Sequence, residues 1–101
     1  MTGSVLSDTI RKARKQVTCD QCLRLIKVGD RYRRQVHTFD GLVVYRAHED
    51  CDKASRELHA IADLYPDEAY MLHESCHEDR KFLTESYPVV AGRFWPDLAT
   101  P

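Results

Sequence analysis

Cys19-Asp20-Gln21-Cys22 and His48-Glu49-Asp50-Cys51 decide how this chain of 101 residues is to be read. Each cluster sets two soft ligands three positions apart, and residues 23 through 47 separate the clusters. Three thiolates and one imidazole complete a tetrahedral zinc set and leave no coordination position open. Two close pairs joined by a long loop are the usual form of a structural site. A Cys-x-x-Cys pair also suits thioredoxin-like redox chemistry, but that motif follows a strand and opens a helix. Here the preceding stretch, Arg11 to Thr18, is basic and polar, and redox chemistry would leave His48 and Cys51 without a role.

Working outward, the hairpin comes next. Arg31 to Thr38 alternates, with Tyr32, Arg34, Val36 and Thr38 on one side and Arg31, Arg33, Gln35 and His37 on the other. Gly29-Asp30 reads as a turn before it, and Asp40-Gly41 is a strong hairpin signal after it. Leu42 to Ala47 then returns as a second strand and ends at His48. From Glu49 the period changes to helical. Cys51, Ala54, Leu58, Ile61, Ala62 and Tyr65 form an apolar stripe. Cys51 falls in the first turn, where the positive end of the helix dipole favours a thiolate. His59 lies too far along the helix to join the site and is expected at the surface or its boundary.

The flanks are read with weaker patterns. Met1 to Ser4 has no ordering signal. Ser7 or Asp8 can cap a short helix through Lys15, although Val5, Leu6, Ile10 and Ala13 give it a thin stripe. The bases from Arg11 to Lys15 can touch phosphate or form a solvated face. Beyond Tyr65-Pro66-Asp67, a second amphipathic helix is expected to about Glu85, built on Ala69, Leu72, Cys76 and Leu83 and ended by Pro88. His73, Cys76 and His77 on it have spacing that suits a metal, but Cys76 lies on the apolar stripe and reads as core. Val89 to Pro101 reads as an irregular tail whose Phe94 and Trp95 need burial.

Charge and length narrow the class. One domain of this size buries a modest core, which a metal commonly supplements. Net charge is −1 but split, with ten Lys/Arg against six Asp/Glu in residues 1–50 and five against ten in residues 51–101. That excludes a uniformly basic nucleic-acid binder and allows a local basic face. No apolar run is long enough to span a membrane, and residues 1–10 lack a signal-peptide core. The expected compartment is the cytoplasm, where thiols stay reduced.

Knuckle, hairpin and a helix supplying the last two ligands resemble a treble-clef zinc finger over residues 19 to about 64. The ligand order is also similar to the first zinc module of LIM domains, although no second Cys-x-x-Cys follows Cys51. Ile26-Lys27-Val28-Gly29-Asp30-Arg31-Tyr32 and Asp40-Gly41 are similar to small single-zinc proteins of bacteriophages and bacteria, which implies a bacterial or phage origin, with the host cytoplasm as the compartment if the chain is phage-encoded. The resulting expectation is a small α+β protein. Residues 1–18 form a basic N-terminal segment, 19–64 a treble-clef zinc domain, 65–87 a second helix packed on it, and 88–101 a tail. One structural Zn²⁺ is held by Cys19, Cys22, His48 and Cys51.

The expected role is a non-enzymatic adaptor or inhibitor docking on a protein partner. Arg31, Arg33, Arg34 and Arg46 on the ribbon, with Phe94 and Trp95, are the candidate docking residues. Arginine suits this because its planar fork pairs bidentately with carboxylate or phosphate. The alternative is a nucleic-acid-binding finger, though not of the His-x₃₋₅-His type, whose spacer is shorter. A nuclease of the His-Asn-His type is the least favoured reading. Its candidates are His37, Asp40, Asp52 and Asp63, and hydrolysis needs an open metal position that four protein ligands deny.

Overall fold

The computed structural model describes residues 4–38, 41–65, 68 and 70–96. Asp40 of the expected turn, Pro66 and Asp67 of the expected break, and Ala69 lie outside the described residues. The architecture is α+β. Strand β1 (Ser4–Lys12) leads to the short strands β2 (Val17–Thr18) and β3 (Leu25–Ile26), then to β4 (Arg31–Thr38) and β5 (Leu42–His48). Helices α1 (Glu49–Ile61), α2 (Leu72–Ser75), α3 (Arg80–Ser86) and α4 (Pro88–Phe94) follow.

The long strands form one antiparallel sheet in the order β1-β4-β5, and β2 and β3 pair separately as the knuckle ribbon. The expected hairpin is β4 and β5, in register from Tyr32 opposite His48 to Thr38 opposite Leu42. The expected turn at Gly29-Asp30 forms as well. Gly29 takes φ +92°, which favours glycine, and the Lys27 N–H donates to the Asp30 carboxylate at 3.1 Å.

Three flanking expectations are corrected. Residues 4–12 form a strand, not a helix. Their apolar stripe is too thin to hold an isolated helix, whereas β4 offers them an edge to pair with from Ser4 to Lys12. Arg33 also fixes Asp8 from the neighbouring strand through a two-pronged ion pair. The single second helix is instead α2 and α3, separated by turns at Cys76 to Asp79. The backbone N–H groups of Leu72 and His73 are taken by the Oε1 and the backbone carbonyl of Gln21, at 2.8 and 3.0 Å. That docks the start of α2 on the knuckle, and Tyr70 bridges back to Asp79 through its hydroxyl. In the tail, Pro88 does end α3, but it also opens α4 as a first-turn residue. Val90 and Ala91 bury that helix.

The core is small. Among the described residues the largest fully buried side chains are Ile26, Leu72, Leu83, Val90, Cys19 and Cys51. Two of the six are cysteines of the candidate site, so the ligand cluster is itself part of the core. Along α1 the stripe of Cys51, Ala54 and Leu58 is buried, but Ile61 and Tyr65 are 65% and 74% exposed. The helix leaves the body of the protein after its third turn. Among the described residues no helix is long and apolar enough to cross a membrane.

Candidate metal centre

Local backbone geometry builds the two halves of the site. In the knuckle, Leu23 adopts φ +63° and returns its N–H to the Cys19 carbonyl at 2.9 Å, closing a tight turn around Cys22. Asp20 ties this turn to β5 twice. Its N–H donates to the Arg46 carbonyl at 2.7 Å, and its carboxylate accepts the Arg46 N–H at 2.9 Å. On the other half, His48 ends β5 and caps α1, which puts Cys51 in the first turn of the helix. The strand-to-helix junction thus aims both ligands at the knuckle.

Cys19, Cys22, His48 and Cys51 are all buried, and their ligand atoms lie within 4.8 Å of one another. Cys22 Sγ is 3.5 Å and Cys51 Sγ 3.8 Å from His48 Nδ1. A tetrahedral zinc with ordinary bond lengths has sulfur–nitrogen edges of about 3.6 Å. The residues therefore fit one metal ion, with Nδ1 as the imidazole donor. Among the described residues this is the one place where three or more His, Cys, Asp or Glu ligand atoms converge. Cys76 is a free cysteine outside it, and His73 and His77 do not join with it in a second group.

The electrostatics of the cluster ask for a cation. Hydrogen bonds from Cys22 and then from Cys51 hold the Cys19 thiol far below its ordinary pKa. Cys51 is pushed far up, first by its bond to Cys19 and then by Cys22 and burial. Burial works against a charged imidazole at His48, but bonds with Cys19 and Cys22 outweigh it and push its pKa up to about 9. Left to protons alone, the cluster ionises one sulfur readily, resists ionising its neighbour, and keeps a proton on the imidazole. A divalent ion replaces those protons, and metal binding at such sites releases them.

Donors around the sulfurs complete the site. The N–H groups of Cys22 and His48 donate to Cys19 Sγ at 3.5 and 3.4 Å. Arg93, from α4, donates through Nη1 to Cys51 Sγ at 3.1 Å and pairs with Asp50 at 2.6 Å. Such outer partners orient ligands and offset charge. Sequence reasoning missed Arg93 because nothing in a segment read as tail marks it. It also missed Gln21, which is buried between the two cysteines. Gln21 Nε2 donates to Tyr45 Oη at 2.8 Å and Ser55 Oγ at 3.1 Å, while Oε1 takes the α2 amide. One side chain therefore ties knuckle, hairpin, α1 and α2 together. The only signal for it was an amide residue inside the knuckle.

The candidate docking residues fare unequally. Arg33 is nearly buried and spans Asp8 and Asp52, the latter at 3.0 Å. It also lowers the Asp8 carboxyl pKa, first through its hydrogen bond. This guanidinium joins β1, β4 and α1 and is not free to dock. Arg31 pairs with Glu49 at 3.3 Å on the surface. Phe94 and Trp95 are packed against the core, their rings 5.7 Å apart, with the Arg80 guanidinium 5.1 Å from the Trp95 ring centre. Their expected burial is met in part, since both rings stay half-buried. Arg34 and Arg46 stand opposite each other on adjacent strands.

The nuclease candidates are partly gathered. His37, Asp52 and His59 line one cleft of about 400 Å³, together with Arg33 and Tyr45. Asp52 there accepts from Arg33, Arg56 and Tyr45, at 3.0, 3.1 and 3.2 Å. His59 Nε2 meets the Tyr65 carbonyl at 3.0 Å. Asp40 lies outside the described residues, and Asp63 is exposed beyond the end of α1. No family model matches the chain, and no curated protein or solved structure matches it either.

Proposed function

We propose that this chain is a non-enzymatic binding module held together by one structural zinc. In this reading the knuckle, the β4–β5 hairpin and α1 form a treble-clef unit, and α2 to α4 pack around it. The observation that carries the reading is the closed ligand set: three sulfurs and Nδ1 of His48, all buried, within 4.8 Å of one another. Four protein ligands leave no position for a substrate or an activated water. The saturated carboxylate of Asp52 supports a non-catalytic reading of the neighbouring cleft. Native mass spectrometry of the reduced, folded protein is expected to show one zinc per chain. A folded sample with no zinc, or with two, overturns the reading.

The module is read as docking on a partner in the cytoplasm. Because Arg33 is engaged internally and Phe94 and Trp95 are half-buried against the core, the reading places the docking surface on the face of the sheet that carries Arg34 and Arg46.

A further inference from the structure

Residues paired across an antiparallel sheet share a face, so the register sorts every side chain. Asp8, Arg33, Gln35, Tyr45 and Ala47 belong to one face. That face meets α1, since both Arg33 and Tyr45 bond Asp52. The other face presents Ser7, Thr9 and Arg11 from β1, Arg34 and Val36 from β4, and Val44 and Arg46 from β5. No Asp or Glu of the three strands falls on it.

Its three arginines are adjacent. Arg34 lies directly between Thr9 on β1 and Arg46 on β5, and Arg11 reaches Thr9 Oγ1 at 3.3 Å. Among the described residues the arginines in ion pairs are Arg31, Arg33, Arg56 and Arg93, so none of these three has a carboxylate partner. The nearby Asp20 carboxylate accepts the backbone N–H of Arg46 instead. Like charges directly opposite each other on neighbouring strands repel, and an anion laid across them relieves that repulsion. Arg14 and Lys15, both exposed, follow β1 in the chain.

Resting on the reading as a non-enzymatic module, we propose that this sheet face, with Arg11 exposed and Arg34 and Arg46 half-buried, docks the phosphate backbone of duplex nucleic acid through these three arginines. Arginine forks with serine and threonine hydroxyls are the donors that contact phosphate and sugar without reading sequence. Among the described residues, the face has no exposed aromatic ring, since Tyr32 is buried. It therefore lacks the stacking platform of a single-strand binder and the aromatic anchors that dominate protein interfaces. Binding is independent of sequence and steep in salt.

The test is fluorescence anisotropy of a labelled mixed-sequence DNA duplex titrated with the whole, zinc-loaded chain at several salt concentrations. Zinc content and circular dichroism are measured on the same samples. The double variant Arg34→Gln with Arg46→Gln is expected to lose at least about tenfold in affinity at low salt, with the log–log salt slope shallower by about 2, since each phosphate contact contributes about 0.9. Arg11→Gln, at the exposed end of β1, shifts both quantities in the same direction by about half as much. It keeps the test alive should the double variant not fold. Arg56→Ala, on α1, leaves binding unchanged. A folded wild-type chain that ignores the duplex at low salt overturns the proposal. So does equal binding by the variants, or capture of poly-glutamate in preference to duplex, which would mark an acidic protein partner. A folded, zinc-free chain that still binds duplex through these arginines would refute the zinc and support the face.

Discussion

The two ends of the three-stranded sheet are built differently. At the metal end, Tyr32, Ala47, His48 and Cys51 are buried, and Asp20, Gln21 and Arg93 hold the neighbouring elements in place. At the far end, Val5, Leu6, Leu42 and Val43 are 40–71% exposed on the same strands. Strand identity is therefore not what places these residues inside or out. The metal end has a cluster to close around, and three further elements converge on it. The far end is held by strand pairing with a β-bulge between Val5 and Ser7. Stability in a domain with so small a core is expected to follow the same gradient.

Removing the metal is the strongest way to break the contrast. Chelation, or Cys51→Ser, is expected to unfold knuckle, hairpin and α1 together, because binding energy at such sites is folding energy on the order of 10 kcal/mol. Circular dichroism and melting read it. A native melt without zinc would mean that both ends stand on packing alone.

Next in size is Gln21→Ala. It strands the Leu72 amide and takes a buried partner from Tyr45 and Ser55, so a loss of about 3 kcal/mol is expected by chemical denaturation. The zinc ligands are untouched, so zinc stoichiometry stays at one. A loss below about 1 kcal/mol would mean that α2 is not anchored through the knuckle.

Arg93→Ala separates metal affinity from packing. Losing the donor to Cys51 Sγ and the pair with Asp50 is expected to weaken zinc about 10- to 100-fold in a competition titration. Folding at saturating zinc should hardly change. An unchanged affinity would reduce Arg93 to a surface ion pair, and the closure of the site by α4 would be irrelevant to the metal.

The smallest effect belongs to the far end. Leu42→Ser, at a site 71% exposed, is expected to change stability by less than about 0.5 kcal/mol. Amide hydrogen exchange should be fastest in that half of β4 and β5 and slowest beside Ala47 and His48. A large loss from Leu42→Ser would show that the far end is covered by something, a second copy included.

Much of this was legible in local patterns. The ligand spacing, the alternation of Arg31 to Thr38 and the helical period from Glu49 each rest on short-range rules, and each found its element. The errors fell where short-range signals were thin. Ser4 to Lys12 is weakly amphipathic in either period, and the neighbouring strand β4 settled it. Leu72 to Glu85 carries a helical pattern, yet it breaks at Cys76 to Asp79, and its start is fixed by Gln21, dozens of positions upstream. Pro88 marks a stop for α3, and its fixed φ and missing N–H suit a helix start equally well.

By itself, the amino-acid sequence determined the donor set, the order in which its members meet, and the hairpin and helix that carry them. It did so because ligand chemistry and backbone periodicity are properties of a few neighbouring residues. Only the tertiary structure decided which charges are spent. Arg33 and Arg34 are consecutive and chemically identical, yet the pleat turns one onto Asp8 and Asp52 and leaves the other beside Arg46 on the opposite face. Arg93 became a partner of the candidate ligand Cys51 because α4 folds back over α1. An ion pair depends on which distant atoms come within about 4 Å, and no local rule in the chain encodes that distance.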